Sequence, residues 1–243
     1  MSSLKDKAAF VTGGGSGIGA AIADAFAAAG AAVAVSGRRD GPLTETATRI
    51  TDSGGTAMAV TADVTDLDAM ADTARRVTSR FGRLDIVVAN AGIATTGRPL
   101  LDYDPAEWQQ TLDIDLTGVW NTAKATVPAM QERGGSFIVI GSGLARVSGG
   151  GGGPYAVAKA GAGALTRLLA MELREHGIAV NELIPGPTAT AAIGDDAEAR
   201  QRWAARGEWY KQPADVARLA LFVATLPSGG PTGQVFSLAG RLL

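Results

Sequence analysis

Short apolar segments alternate with longer, helix-like segments along almost the whole chain. The apolar segments are too uniformly hydrophobic to present one polar face, which is typical of parallel strands covered on both sides. These strand candidates are Ala8–Thr12, Ala32–Ser36, Ala57–Thr61, Ile86–Ala89, Phe137–Gly141, Ala179–Ile184 and Val235–Leu238. The pattern therefore predicts a sheet that is buried between two layers of helices.

The segments between these strands have the length and pattern of helices. Glycine follows three of them, at Gly30, Gly82 and Gly177, where it commonly ends a helix. The predicted helices are Ile18–Ala29, Gly41–Ser53 with Asp40 as its cap, Leu67–Phe81, Pro105–Gln131 and Pro154–Glu175. Because strands and helices alternate, we predict a single Rossmann-type, doubly wound α/β domain over residues 1–243. Its seven-stranded parallel sheet would carry helices on both faces.

Composition excludes several classes of function. The 243 residues are 46% hydrophobic, carry a formal net charge of −2 and contain no run of Lys or Arg, so neither nucleic acid nor a membrane surface is an expected partner. The absence of cysteine excludes disulfides and thiolate catalysis, and a single histidine makes a catalytic metal unexpected. No signal-peptide pattern or long uncharged apolar stretch occurs, so we expect a cytoplasmic protein.

A glycine-rich turn, Thr12–Gly19, joins the first predicted strand to the first predicted helix. Glycines let the backbone approach a phosphate, and a helix N-terminus presents free N–H groups to it. A phosphate-binding P-loop is the competing interpretation, but Ala20 and Ala21 replace the Lys-Ser/Thr pair that it requires. The position between strand and helix favours dinucleotide binding over a turn without a ligand.

The end of the second strand bears on the choice of dinucleotide. An acidic residue that binds the ribose of NAD is expected there, but Gly37, Arg38 and Arg39 occupy these positions. Arginine can pair with the 2′-phosphate of NADP, which a carboxylate would repel. We therefore expect NADP(H) rather than NAD(H), with two solvated arginines as the alternative that involves no ligand.

Tyr155 and Lys159 stand four residues apart in a predicted helix and would project from one face, with Ser142 thirteen residues before the tyrosine. A cation held beside a phenol favours the phenolate, so the tyrosine can exchange a proton closer to neutral pH. A serine hydroxyl nearby could hold the oxygen that gains or loses this proton. Tyr-x-x-x-Lys pairs also occur by chance on exposed helices, so the support for a catalytic role comes from the position of this pair in the chain.

Together, these motifs resemble the short-chain dehydrogenase/reductase family over nearly the whole chain. They follow the family's order, and each lies at the end of a predicted strand. They are Thr12–Gly19, Asp63-Val64, Asn90-Ala91-Gly92, Ser142, Tyr155-x-x-x-Lys159, and Pro185-Gly186 with Thr190. Within the family, Glu107-Trp108 and Pro213–Leu219 resemble the 3-oxoacyl-[acyl-carrier-protein] reductase branch, a likeness shared by members with different substrates.

The resemblance implies hydride transfer between a nicotinamide and a ketone or secondary alcohol. Tyr155 would be the general acid or base, Lys159 would favour its phenolate and hold the nicotinamide ribose, and Ser142 would bind the substrate oxygen. The implied cofactor contacts are Gly13, Ser16, Gly17, Ile18, Gly19, Asp63, Val64, Asn90, Ala91, Gly92, Tyr155, Lys159, Pro185, Gly186, Thr188 and Thr190. An NAD-dependent sugar or polyol dehydrogenase, a reductase of cyclic or aromatic ketones and a non-catalytic nucleotide sensor stay open.

Three positions depart from the family's pattern. Asp115 replaces an asparagine whose backbone carbonyl takes part in a proton relay through a water near the lysine. Aspartate keeps that carbonyl, and its carboxylate near Lys159 would stabilise the ammonium, so we expect activity to be kept. Ala89 replaces an asparagine at a position that we interpret as strand packing. The tail Ser237–Arg241 replaces Asp-Gly-Gly near the rim of the substrate pocket.

The substrate pocket is expected between Ile93–Arg98, Gly143–Gly153 and Thr188–Tyr210. The glycines that lead into Tyr155 predict a roomy entrance or a lid that orders on binding. Arg146 would be solvated or, less often, would pair with an anionic substrate group.

The family resemblance also implies a homotetramer, with a dimer as the alternative. The long predicted helices Pro105–Gln131 and Pro154–Glu175 would form the contacts between subunits.

Overall fold

The computed structural model describes residues 3–146, 151–191, 193–194 and 196–240. These residues form seven strands and eight α-helices. The strands are β1 (Ala8–Thr12), β2 (Ala32–Gly37), β3 (Thr56–Thr61), β4 (Ile86–Ala89), β5 (Gly135–Ile140), β6 (Ile178–Ile184) and β7 (Val235–Ser237). The helices are α1 (Gly17–Ala28), α2 (Asp40–Asp52), α3 (Leu67–Phe81), α4 (Pro105–Leu112), α5 (Gly118–Met130), α6 (Gly153–Glu172), α7 (Ala197–Ala204) and α8 (Pro213–Ala224).

The strands form one parallel sheet in the order β3-β2-β1-β4-β5-β6-β7. The chain first builds outward from β1 to β3 and then returns to add β4 on the other side of β1. In open α/β sheets, ligands bind beyond the carboxyl ends of the strands at such a reversal. The predicted doubly wound fold is confirmed, and its topology places a binding crevice next to the ends of β1 and β4.

Successive residues of the central strands face opposite helical layers. Val33 and Val35 of β2 share one apolar cluster with Phe26 of α1, whereas Ala34 between them belongs to a second cluster with Met70 of α3. This alternation follows from the two-residue period of a strand, and it explains why the strand sequences are apolar throughout. The edge strands β3 and β7 are the exceptions, because each has one neighbour and lies partly exposed.

The predicted helix Pro105–Gln131 is in fact three segments. A π-helical turn, Asp113–Thr117, separates α4 from α5. Asp115 within this turn is fully buried, and its Oδ2 accepts a hydrogen bond from the backbone N–H of Ile93 at 3.0 Å. The π turn thus brings a carboxylate to the end of β4. Single π turns inside helices often lie at functional sites.

Asp40 does not cap α2, contrary to the prediction. The helix begins at Asp40 itself, extended Arg39 occupies the cap position, and Asp40 Oδ1 accepts a hydrogen bond from the hydroxyl of Thr61 at 3.2 Å. The strand boundaries lie within two residues of those predicted.

The predicted helix Pro154–Glu175 ends earlier than expected. Its α-helical part, α6, stops at Glu172, and a 3₁₀ turn, Arg174–His176, continues to Gly177. Gly177 has a φ of 67°, which confirms the prediction that a glycine in the left-handed conformation ends this segment. None of the helices in the described ranges combines the length and hydropathy that a membrane span requires.

Candidate active site

The glycine-rich turn lies between the end of β1 and the start of α1. Gly13 and Gly17 have positive φ values of 66° and 53°, which favour glycine. A Cβ atom on Gly13 would lie 2.8 Å from Asn90 Nδ2, and one on Gly19 would lie 2.4 Å from the carbonyl oxygen of Gly13. Because no side chain fits at these positions, the backbone forms the surface of the turn. A phosphate could approach this surface and the N-terminus of α1 directly.

A cleft of about 380 Å³ opens beside the turn. Its lining includes Gly13, Ser16, Gly17, Ile18, Gly19, Arg38, Arg39, Asp63, Val64, Asn90, Ala91, Gly92 and Thr190. These are predicted cofactor positions from five separate parts of the chain. Its size, its backbone donors and the adjacent arginines fit a phosphate-bearing nucleotide. Pro42, Leu43 and Ile114 of this lining were not predicted, because they carry no polar signal of their own, and Ile93 was predicted for the substrate pocket instead.

Arg38 and Arg39 lie in the cleft lining just after β2. Within the described part of the chain, neither guanidinium forms an ion pair. The nearest acid in sequence, Asp40, is engaged by Thr61. Both arginines therefore keep their charge and donors for a ligand.

The turn after β4 is tied to the end of β1. Asn90 Nδ2 donates to the carbonyl oxygen of Thr12 at 2.8 Å, and the N–H groups of Asn90 and Ala91 both donate to Thr12 Oγ1, at 3.0 and 3.1 Å. These bonds join the two strand ends on either side of the crevice. Ala89 is buried within β4, which agrees with its interpretation as a packing residue.

Lys159 connects the predicted catalytic residues. It lies on α6 with only 3% of its surface exposed, and its Nζ donates to the carbonyl oxygen of Ile140 at 2.9 Å. The same nitrogen is 3.2 Å from Asp115 Oδ1 and 5.7 Å from the centroid of the Tyr155 ring. Ile140 ends β5 two residues before Ser142. Lys159 therefore joins the tyrosine, the π turn and the strand end that precedes the serine.

Asp115 and Lys159 form a buried ion pair. Burial raises the pKa of Asp115, against the opposing effects of Lys159 and the Ile93 amide. Burial alone would lower the pKa of Lys159, but the Asp115 carboxylate and Tyr155 outweigh it and raise that pKa. The raised pKa of Asp115 favours its neutral acid form, whereas the raised pKa of Lys159 requires that Asp115 be a charged carboxylate. The contacts decide for the carboxylate, because an amide N–H faces Oδ2 and an ammonium lies beside Oδ1.

Gly92 provides the space that this carboxylate occupies. A Cβ atom at Gly92 would lie 2.5 Å from Asp115 Oδ1 and 3.5 Å from Lys159 Nζ. Oδ1 is buried and, although paired with the ammonium, accepts no hydrogen bond from the described residues. The Asp115 Oδ1 acceptor therefore lies beside the Lys159 ammonium, next to Gly92 of the cleft lining.

The cleft lining does not extend to every predicted site residue. Thr190 and Ala191 line the cleft from the segment after β6. The predicted site residues outside the lining are Ser142, Tyr155, Lys159, Asp115, Pro185, Gly186 and Thr188. Thr190 Cγ2 would lie 3.2 Å from a Cβ atom on Gly17, so this segment closes over the glycine turn. Thr188 is buried and forms a parallel bridge with Lys211.

Arg146 pairs with a carboxylate of the chain itself. One terminal nitrogen of its guanidinium lies 2.6 Å from Glu182 Oε2 in β6. Arg146 is exposed, as expected of a solvated arginine, but it also pairs within the chain, because a carboxylate buried within a strand requires a cation. Glu182 was not predicted as a partner of Arg146, although a lone acid in the otherwise uncharged strand β6 indicates a buried cation nearby.

The predicted substrate segments contact one another. The backbone N–H of Gly97 donates to the carbonyl oxygen of Gly151 at 2.7 Å, and Arg98 pairs with Glu107 at 2.6 Å while it stacks on Tyr103. Residues 148–150 of the predicted lid lie outside the described residues. The hydroxyl of Tyr210 donates to the carbonyl oxygen of Gly194, which holds the 188–210 segment together.

Comparisons with known proteins cover nearly the whole chain. A family model described as Enoyl-(Acyl carrier protein) reductase matches residues 13–240. The cis-4-hydroxycyclohexanecarboxylate dehydrogenase of Sinomonas cyclohexanicum is 36% identical over 239 residues, 97% of this chain and 96% of that protein. The 3-oxoacyl-[acyl-carrier-protein] reductase of Synechocystis sp. is 34% identical over 247 residues, 100% of this chain and 99% of that protein.

A solved structure shows the same similarity. A short chain dehydrogenase from Burkholderia cenocepacia J2315, in complex with NADP, has a TM-score of 0.91 and 35% sequence identity, and the match covers 98% of each chain. The matched regions include the glycine turn, the π turn and the helix that carries Tyr155 and Lys159.

Proposed function

The chain belongs to the short-chain dehydrogenase/reductase family, and we propose that it is an NADP-dependent oxidoreductase that acts on a ketone or secondary alcohol. The observation that carries this proposal is the position of Lys159. Its buried ammonium lies 3.2 Å from the Asp115 carboxylate and 5.7 Å from the centroid of the Tyr155 ring, and it donates a hydrogen bond to the strand end that precedes Ser142. A purely structural buried lysine would also need the carboxylate, but it would have no need of a phenol beside it at the rim of a nucleotide cleft.

In the proposed reaction, the chain transfers one proton and its cofactor transfers one hydride. When bound, NADP(H) supplies or accepts the hydride. In the direction of reduction, Tyr155 gives its hydroxyl proton to the carbonyl oxygen as the adjacent carbon receives the hydride. The Lys159 ammonium stabilises the phenolate that remains, and Ser142 donates a hydrogen bond to the same substrate oxygen. Oxidation of the alcohol uses the same contacts in reverse.

We assign the cofactor contacts from the cleft and the family pattern together. The glycine turn would hold the phosphates, Asp63 and Val64 the adenine, and Lys159 the hydroxyls of the nicotinamide ribose. The segment that ends at Thr190 would meet the carboxamide. Support for these assignments is strongest at the glycine turn, where added Cβ atoms would collide with the chain itself.

The preference for NADP rests on Arg38 and Arg39, which line the cleft without an ion pair among the described residues. A similar protein of known structure also holds NADP. Arg38→Ala should raise the KM for NADPH about tenfold or more and leave that for NADH nearly unchanged, since a charged contact to the 2′-phosphate is lost. Steady-state kinetics with both cofactors tests this, with exposed Arg75→Ala as the control. An equal effect on NADPH and NADH would contradict the assignment.

The substrate class is best tested by a screen of carbonyl compounds with NADPH and NADH. Cyclic ketones come first, because a similar protein is named for a hydroxycyclohexanecarboxylate, and a 3-oxoacyl thioester comes second. We expect oxidation of NADPH with at least one of these ketones. NADH-linked turnover of a sugar or polyol alone would replace the proposal with a polyol dehydrogenase. Tight NADPH binding without turnover of any ketone or alcohol would favour a nucleotide sensor.

A further inference from the structure

Glu182 is the only charged residue of β6, and it is 2% exposed. Its side chain lies against two glycines. A Cβ atom on Gly141 would lie 2.0 Å from Glu182 Oε1, and one on Gly163 of α6 would lie 3.3 Å from Oε2. The carboxylate therefore occupies a space that these glycines leave between the end of β5 and α6. Gly141 immediately precedes Ser142.

Arg146 supplies the charge that this carboxylate needs. Its guanidinium donates to Glu182 Oε2 at 2.6 Å, and its side chain is 31% exposed. The other oxygen, Oε1, has no hydrogen-bond partner among the described residues. A buried carboxylate is unfavourable without a cation, and Arg146 is the cation that is paired with this one among the described residues, while the charge of Lys159 acts on it from farther away. The pair is therefore a firm tie between the segment that carries Arg146 and the centre of the sheet.

The tie acts on the turn that begins at Ser142. Ser142 Oγ accepts a hydrogen bond from the backbone N–H of Leu144 at 3.2 Å, and a 3₁₀ turn follows over Gly143–Ala145. The backbone N–H of Arg146 closes this turn by donating to the carbonyl oxygen of Gly143 at 3.1 Å. The segment is thus held at one end by β5 and at the other by Glu182, with Ser142 at the first end.

We propose that the Arg146–Glu182 pair is a positioning device for Ser142. By fixing the far end of the turn, it limits the directions in which the Ser142 hydroxyl can point. Neither Arg146 nor Glu182 needs to touch the substrate for this effect. The proposal rests on the proposed function, in which Ser142 binds the substrate oxygen.

A double-mutant cycle tests whether Arg146 acts through Ser142. Arg146→Met should lower kcat/KM for the reduced ketone about 10- to 100-fold, because small misplacements of positioning groups have effects of this size. In a Ser142→Ala background, the same substitution should lower kcat/KM less than about threefold, since the group that it positions is gone. Arg146→Lys should restore part of the loss. Equal losses in the two backgrounds would overturn the proposal.

The matched control is Arg75→Met, which removes an exposed arginine paired with Asp72 on α3. It should leave kcat/KM unchanged. If Arg146→Met does not fold, Glu182→Gln weakens the same tie with a side chain of equal size, and the cycle is repeated with that variant.

Amide hydrogen exchange gives a measurement that does not depend on activity. In Arg146→Met, exchange in a peptide covering residues 141–146 should become faster, while that of β1 and β4 stays unchanged. Unchanged exchange in this peptide would overturn the positioning role, whether or not any ketone is turned over. Conversely, full activity of Ser142→Ala would count against the proposed function, and the exchange result would still decide whether the tie exists.

Discussion

The carboxylate of Asp115 lies 3.2 Å from the buried ammonium of Lys159 and places a full negative charge beside it. Asparagine at this position would keep the backbone carbonyl and a side-chain acceptor for the Ile93 amide, but not the charge. The carboxylate offsets the burial that would otherwise lower the pKa of Lys159. It therefore extends the pH range over which the lysine stays protonated and can stabilise a Tyr155 phenolate.

Asp115→Asn should shift the pH dependence of the reaction without abolishing it. Burial would then lower the pKa of Lys159, so the ammonium would be lost at a lower pH. The alkaline limb of the kcat/KM profile should move to lower pH, while the rate at neutral pH stays within about tenfold of the wild type. The matched control is Asp113→Asn in the same π turn. An alkaline limb identical to that of the wild type would show that the carboxylate has no special role.

Strands β1 and β4 are joined at their amino ends by another buried acid. Asp85, just before β4, accepts hydrogen bonds from the backbone N–H of Ala8 at 2.9 Å and from Arg83 at 2.7 and 2.5 Å. Burial opposes its ionisation, but the bonds from Arg83 and Ala8 together with the charge of Lys7 lower the pKa of Asp85 overall. With Asn90 at the carboxyl ends, this contact fixes both ends of the strand pair that borders the cleft.

Asp85→Asn should lower the free energy of unfolding by about 1–3 kcal/mol at pH 7, because charged hydrogen bonds are lost. The folded pKa of Asp85 lies below its ordinary value of 3.8, so its contribution is complete above that value and disappears as pH falls through the folded pKa. Urea unfolding at pH 7 and near pH 3 measures the difference, with exposed Asp72→Asn as the control. A difference that does not shrink with acid would contradict this explanation.

The regular strands and helices could be predicted because burial on two faces imposes an apolar pattern that is local in sequence. The π turn could not, since the contacts that hold Asp115 come from Ile93 and Lys159, which lie far away in the chain. Asp40 was misassigned because Asp is common both before and within the first turn of a helix. Likewise, the motifs predict Ser142, Tyr155 and Lys159 as site residues, and the lone acid of β6 indicates a buried cation, but which arginine supplies it follows only from the pairing of β5 with β6.

In the whole molecule, the parallel order of the sheet brings segments that are distant in sequence to one edge. The sheet and both apolar clusters draw on residues from Leu4 to Leu238, which supports the proposal of a single domain. A cytoplasmic location stays a prediction from the sequence.

Large apolar side chains remain exposed on the helices where subunit contacts are expected. They are Trp120 on α5, and Leu168 and Met171, which is 77% exposed, on α6.

We propose that these side chains are covered in a homotetramer, with a dimer as the alternative. Size-exclusion chromatography with light scattering should give four times the chain mass of 24.6 kDa. Leu168→Glu should reduce the measured mass, because a charge would be buried at the contact. Arg75→Glu on α3 should not change it. A monomeric wild-type protein would contradict the assembly.

The most direct test of proton transfer by Tyr155 is NADPH oxidation by Tyr155→Phe with the best ketone of the screen, measured beside NADPH binding. Phenylalanine keeps the ring near Lys159 and removes only the hydroxyl. We predict turnover reduced at least about 100-fold, with the dissociation constant for NADPH within about threefold of the wild type. Turnover near the wild-type rate would contradict the assignment of Tyr155 as the general acid and base.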